Sequence, residues 1–85
     1  MSIEELINKL KNSKNLDPIE EQKLKKELKD KLLKFSEILM FFKLGASKFY
    51  SLAIDCLNNN DYKNLEKLVQ GLKNTLNSQY TNKKA

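Results

Sequence analysis

The 85-residue chain has no histidine, no arginine and no tryptophan, and it carries one cysteine, one proline and two glycines. Without histidine it lacks the usual side chain for proton transfer near neutral pH and the commonest nitrogen ligand for zinc. With Cys56 as its one cysteine it can close no intramolecular disulfide and build no cysteine-rich metal cage. No Gly-rich phosphate loop, no nucleophile beside a plausible base and no Glu-x-x-His pair of the di-iron bundles is present. These absences predict a protein that is not an enzyme and holds no cofactor and no metal. On the alternation given below, Cys56 is expected to act as a small buried hydrophobe.

Long apolar runs are missing as well. The longest, Ile38 to Phe42, falls far short of the roughly 20 residues that span a bilayer. No basic segment followed by an apolar run opens the chain, so the expected location is cytoplasmic.

The absence of arginine colours the charge. All sixteen basic residues are lysine, against eleven acids, for a net charge of +5. Lysine lacks the planar fork with which arginine reads phosphates and base edges. Ten asparagines accompany the lysines, and both residue types have A- and T-rich codons, so an AT-rich genome accounts for much of this composition. Lys23, Lys25, Lys26, Lys29, Lys31 and Lys34 form the densest run, and Lys23, Lys25, Lys26 and Lys29 are its candidate phosphate contacts. Glu21 with Lys25, Glu27 with Lys31 and Asp30 with Lys34 are spaced as i,i+4 pairs in the favourable order, and no aromatic residue is interspersed for base stacking. The run therefore reads as a solvated helix face. The same interleaved acids weigh against a basic amphipathic helix lying on a membrane.

What the chain does have is helical periodicity. Leu28, Leu32, Phe35, Leu39, Phe42, Ala46, Phe49, Ala53 and Cys56 follow a 4-3-4-3 ladder, which is a seam for coiled-coil-like helix packing and not a strand pattern. Ser2 and Glu5 form a capping box before Ile3, Leu6, Ile7 and Leu10, which predicts a helix over about 3–12 with a turn at 12–15. Asp17, Pro18 and Glu20 give the next start signal. From Pro18 the pattern runs without proline to about Leu57, and because the ladder keeps its phase through Gly45, one long helix over about 18–57 is expected. The alternative is a C-cap and tight turn at Leu44 to Ser47, which would break the helix at Gly45 and give a compact monomer. Asn58 to Asp61 then reads as a turn, followed by a helix over about 61–78 on Tyr62, Leu65, Val69, Leu72 and Leu76.

The expected fold is thus all-α, a bundle built on one long central helix with the two shorter helices folded back antiparallel. Residues 1–78 form the single domain and 79–85 a polar, frayed tail. A domain this small buries only about 60% of its unfolded surface, so further burial through self-association is favoured. The long helix is apolar on two opposite sides near its middle, and one partner helix cannot cover both. This predicts a homodimer through Leu33, Phe35, Ile38, Leu39, Met40, Phe41, Phe42 and Leu44. The function that follows is a small protein-interaction module of regulator, adaptor or inhibitor type. The alternative is a Lys-rich dimeric nucleic-acid-binding protein of low sequence specificity.

Overall fold

The computed structural model describes residues 1–12 and 16–82, with side chains as far as residue 78. These residues form four helices and no strand: α1 (Ile3–Asn12), α2 (Pro18–Phe41), α3 (Ala46–Asn58) and α4 (Tyr62–Asn82). Local chemistry sets each start. Ser2 Oγ accepts the Glu5 backbone N–H at 3.1 Å while the Glu5 carboxylate accepts the Ser2 N–H at 3.1 Å. That reciprocal pair satisfies two donors that a helix N-terminus leaves unpaired, and it holds the Glu5 carboxyl below the usual glutamate range. Asp17 Oδ1 accepts the Ile19 N–H at 3.4 Å with Pro18 in the first turn, although Glu20 makes no return bond to Asp17. Asp61 opens α4 by accepting the Asn64 backbone N–H at 3.5 Å and the Asn64 side-chain amide at 2.6 Å.

The helix expected over 18–57 is broken. α2 stops at Phe41, where the Lys43 N–H donates to the Met40 carbonyl at 3.1 Å and the Leu44 N–H to the Leu39 carbonyl at 2.9 Å. Those two bonds are the paired closure of a Schellman cap, with Lys43 in the left-handed position at φ 57°. Gly45 follows at φ 72°, and its carbonyl accepts the first bond of α3, from the Phe49 N–H at 3.0 Å. The ladder keeps its phase through the break because Leu39 ends the inner face of α2 and Ala46, seven residues on, begins that of α3. Periodicity fixes which face of each helix turns inward and does not fix whether the chain between them stays helical.

A second Schellman cap ends α3, with the Asp61 N–H on the Cys56 carbonyl at 2.8 Å and Asn60 at φ 57°. Asparagine tolerates this conformation better than most residues, which is why the turn read from composition is sharp. α4 continues to Asn82, past the boundary expected at 78, because no proline or glycine follows Ser78 to stop it. Residues 13–15 of the first expected turn and 83–85 of the expected tail lie outside the described residues.

Folding at the break lets α3 pack on α2, and α4 in turn packs on both α3 and α1, while α1 also rests on α2. All four helices contribute to one core: Leu6, Ile7 and Leu10 from α1, Leu28, Leu32, Phe35 and Leu39 from α2, Ala46, Phe49, Ala53 and Leu57 from α3, and Tyr62, Leu65 and Val69 from α4. Phe35 meets Phe49 edge to face at a centroid distance of 5.2 Å. Such an aromatic pair adds about 0.5–1.5 kcal/mol beyond its area burial. On the surface Lys73 pairs with Glu4, drawing the Glu4 carboxyl below its ordinary range, and Lys11 lies 3.4 Å from Glu66. These exposed pairs tie α1 to α4 but are worth at most about 1 kcal/mol each.

The two glycines respond oppositely to alanine. At Gly71, exposed inside α4, an added Cβ meets nothing within 4 Å, so Gly71→Ala is expected to stabilise by about 0.5–1 kcal/mol. Gly45 is equally open but lies at positive φ, so Gly45→Ala is expected to destabilise by about 1–2 kcal/mol. Thermal melts followed by circular dichroism check the signs. A stabilising Gly45→Ala would mean that the helix runs through this residue.

Candidate functional site

The apolar belt divides once α3 lies on α2. Of the residues expected at an interface, Phe35 and Leu39 are 7% and 0% exposed and belong to the core of the chain itself. Leu33, Ile38, Met40 and Phe41 remain 46%, 48%, 67% and 79% exposed, and Phe42 and Leu44 are half-buried. Helix geometry explains the split. Phe41, two residues beyond Leu39, stands about 200° round the helix from it and points away from the core. Leu33 and Met40, seven residues apart, fall on one stripe at the flank of α2.

That stripe forms one wall of a shallow groove of about 440 Å³ lined by α2 and α3 alone. Leu33 and Met40 of α2 and Tyr50 and Ile54 of α3 line it, together with the buried Ser36 and Ala46 and the exposed Ser47, Ser51 and Asp55. The Ser36 hydroxyl donates to the Leu33 carbonyl at 2.6 Å, so the groove carries no unsatisfied side-chain donor from it. Small residues between larger apolar ones make a surface that can accept a partner's projecting side chain. The α3 half of this groove was not anticipated from sequence, although Tyr50 and Ile54 form an i,i+4 apolar pair offset from the ladder. A smaller apolar groove of about 230 Å³ lies on another side, where Leu44, Phe49 and Leu52 meet Leu68 and Leu72 of α4.

Three of the four candidate phosphate contacts, Lys25, Lys26 and Lys29, border one shallow surface together with Glu21 and Asn58, and Lys23 lies on a neighbouring one. Lys25 Nζ donates to Asn60 Oδ1 at 2.6 Å and lies 3.6 Å from Glu21, while the Tyr62 hydroxyl donates to the same Asn60 oxygen at 3.1 Å. Lys25 thereby fastens α2 to the α3–α4 turn. Lys23 and Lys26 flank the second surface with Ile19 and Gln22, while on the first the Glu21 carboxylate sits among the lysines. Of the three i,i+4 pairs read from the spacing, Glu21 with Lys25 is the one that closes among the described residues. Cys56, expected in the core, is half-buried beside it, and Leu57 takes the inward position instead. Desolvation, reinforced by Asp61 and Asp55, pushes its thiol above the ordinary range. Among the described residues no group of three or more metal-ligating side chains is gathered, and no helix is long and apolar enough to cross a membrane. The chain matches no protein-family model, no curated protein and no solved structure.

The division of the belt has a direct mutational consequence. Phe35→Ala should destabilise by about 3–5 kcal/mol, whereas Phe41→Ser should stay within about 0.5 kcal/mol of the parent, both by urea denaturation. A large loss for Phe41→Ser would place that ring in the core. The raised thiol predicts that Cys56 reacts with a disulfide reagent at pH 8 more slowly than free cysteine and that urea removes the protection. Equal rates with and without urea would contradict its half-buried setting.

Proposed function

We propose that this chain is a non-catalytic helical interaction module of the cytoplasm, a regulator, adaptor or inhibitor, that acts as a homodimer with a second copy seated on the α2–α3 groove. The observation that carries this reading is the exposed Leu33 and Met40 stripe beside small residues, on a surface lined by α2 and α3 alone. A two-fold axis through the groove would bring together two copies of a surface on which large residues, Met40 and Tyr50, stand beside small ones, Ser47 and Ser51, so each copy offers both knobs and recesses to the other. Within each copy, neighbouring helices run antiparallel in this reading, and residues 1–78 act as one domain. The pairing of Phe35 with Phe49 and of Lys25 with Asn60 supports that sense for α2 and α3. The pairing of Glu4 with Lys73 and of Lys11 with Glu66 supports it for α1 and α4.

Ser51 and Met40 are exposed, so changing them leaves the monomer core intact. Light scattering behind a sizing column should give twice the 9.9 kDa chain mass for the parent at micromolar concentration. Ser51→Lys and Met40→Lys should each shift it to the monomer mass with unchanged helical circular dichroism, because a charge forced into an apolar interface is costly. A monomer mass for the parent throughout the micromolar range overturns the dimer.

A further inference from the structure

The α2–α3 turn carries a second surface that the groove does not use. Phe41 is the most exposed large apolar residue described, and it packs edge to face on Phe42 at 5.3 Å while standing outside the grooves on either side. Ile38 and Phe41 continue one stripe of α2 that begins with Lys34, at the i, i+4 and i+7 positions. Lys43 projects from the turn itself, and Lys48 lies in the first turn of α3. All three lysines are exposed, and none of the ion pairs among the described residues involves them. Across residues 31–54 Glu37 is the one acid against four lysines, whereas residues 17–30 hold five acids and four lysines. The charge that is balanced along the first half of α2 is therefore unbalanced around the aromatic turn.

We propose that this turn is a membrane-surface contact that enters an anionic bilayer, with Phe41 and Ile38 in the headgroup and acyl boundary and Lys34, Lys43 and Lys48 at the lipid phosphates. The occupant follows from shape and charge. A phenylalanine at the end of a helix, 79% exposed and outside both grooves, has no concave wall to complete, and a fluid apolar phase closes around it where a rigid protein surface would need a matching pocket. Lysine is a point charge on a flexible stem, suited to headgroups that offer no fixed geometry and able to extend its ammonium toward them while its methylenes stay in apolar surroundings. A second copy fits poorly here, since tip-to-tip packing would bring the same three lysines face to face. Lys43 also occupies a left-handed position that glycine or asparagine adopts at less backbone cost, so a charge is held at this turn against local preference. This surface is separate from the groove proposed for the dimer, and the two fail independently.

The test is co-sedimentation of the full chain with vesicles of phosphatidylcholine alone and of equal parts phosphatidylcholine and phosphatidylglycerol. Binding is expected to the anionic vesicles only, and to weaken steeply as salt rises from about 0.1 M to about 1 M and the screening length falls from about 10 Å to about 3 Å. Phe41→Ser should lower the partition coefficient by more than about tenfold, and Lys43→Gln and Lys48→Gln by about fivefold each, with circular dichroism confirming the fold. Ser51→Lys, which addresses the dimer groove, should keep the binding per site. Absence of binding by the parent overturns the proposal, and so does binding that Phe41→Ser leaves unchanged, which would assign the contact to another lysine face.

Discussion

The fold depends on one chain reversal, made at Lys43 and Gly45, where the backbone takes left-handed φ values of 57° and 72°. A straight helix over residues 18–57 would measure about 60 Å, longer than the 49 Å extent of the whole folded chain. Ending α2 at Phe41 lets α3 pack on α2, so Leu32, Phe35 and Leu39 share one core with Phe49 and Ala53 of the same chain. The reversal also decides what stays outside. Leu33, Met40 and Phe41 would be central on a continuous helix, and here they sit on the flank and at the end of α2, exposed beside the packed α2–α3 pair.

Much of the architecture was legible because it rests on local chemistry. The Ser2–Glu5 box, the Asp17–Pro18 start and the Asp61 cap each involve residues within four positions of one another, and each forms as its residue types imply. The inner faces were legible too, since Leu28, Leu32, Phe35, Leu39, Ala46, Phe49 and Ala53 are all buried. The break at Gly45 was visible only as the less favoured alternative, for two physical reasons. The ladder passes through it in phase, and the left-handed cap position that usually carries glycine holds Lys43, which disguises the stop signal.

The same limit governs the candidate site. The ladder separates Phe35 and Leu39, which are core, from Leu33, Met40 and Phe41, which are surface, but whether the second set is covered depends on which sectors of α2 receive another helix. Nor could it foresee that Tyr50 and Ile54 would line one groove with Leu33 and Met40, since on one continuous helix the two pairs would lie about three to six turns apart. Within the lysine run Lys25 has a role that spacing does not show, holding the α3–α4 turn through the Asn60 side-chain oxygen. The partition that results is a charged half around the start of α2 and an apolar, weakly basic half around the α2–α3 turn. Both proposed contacts lie in the second half, one on its flank and one at its tip.

The central claim is that the chain doubles back between α2 and α3, and an intramolecular distance tests it most directly. Lys29 and Asn58 are exposed and border the same shallow surface in the folded chain. Spin labels on cysteines at these two positions, in a Cys56→Ala background diluted with excess unlabelled chain, report that separation by pulsed dipolar spectroscopy. The fold predicts one distribution centred below about 25 Å. A distribution centred near about 43 Å, the length of 29 residues of unbroken helix, would contradict it.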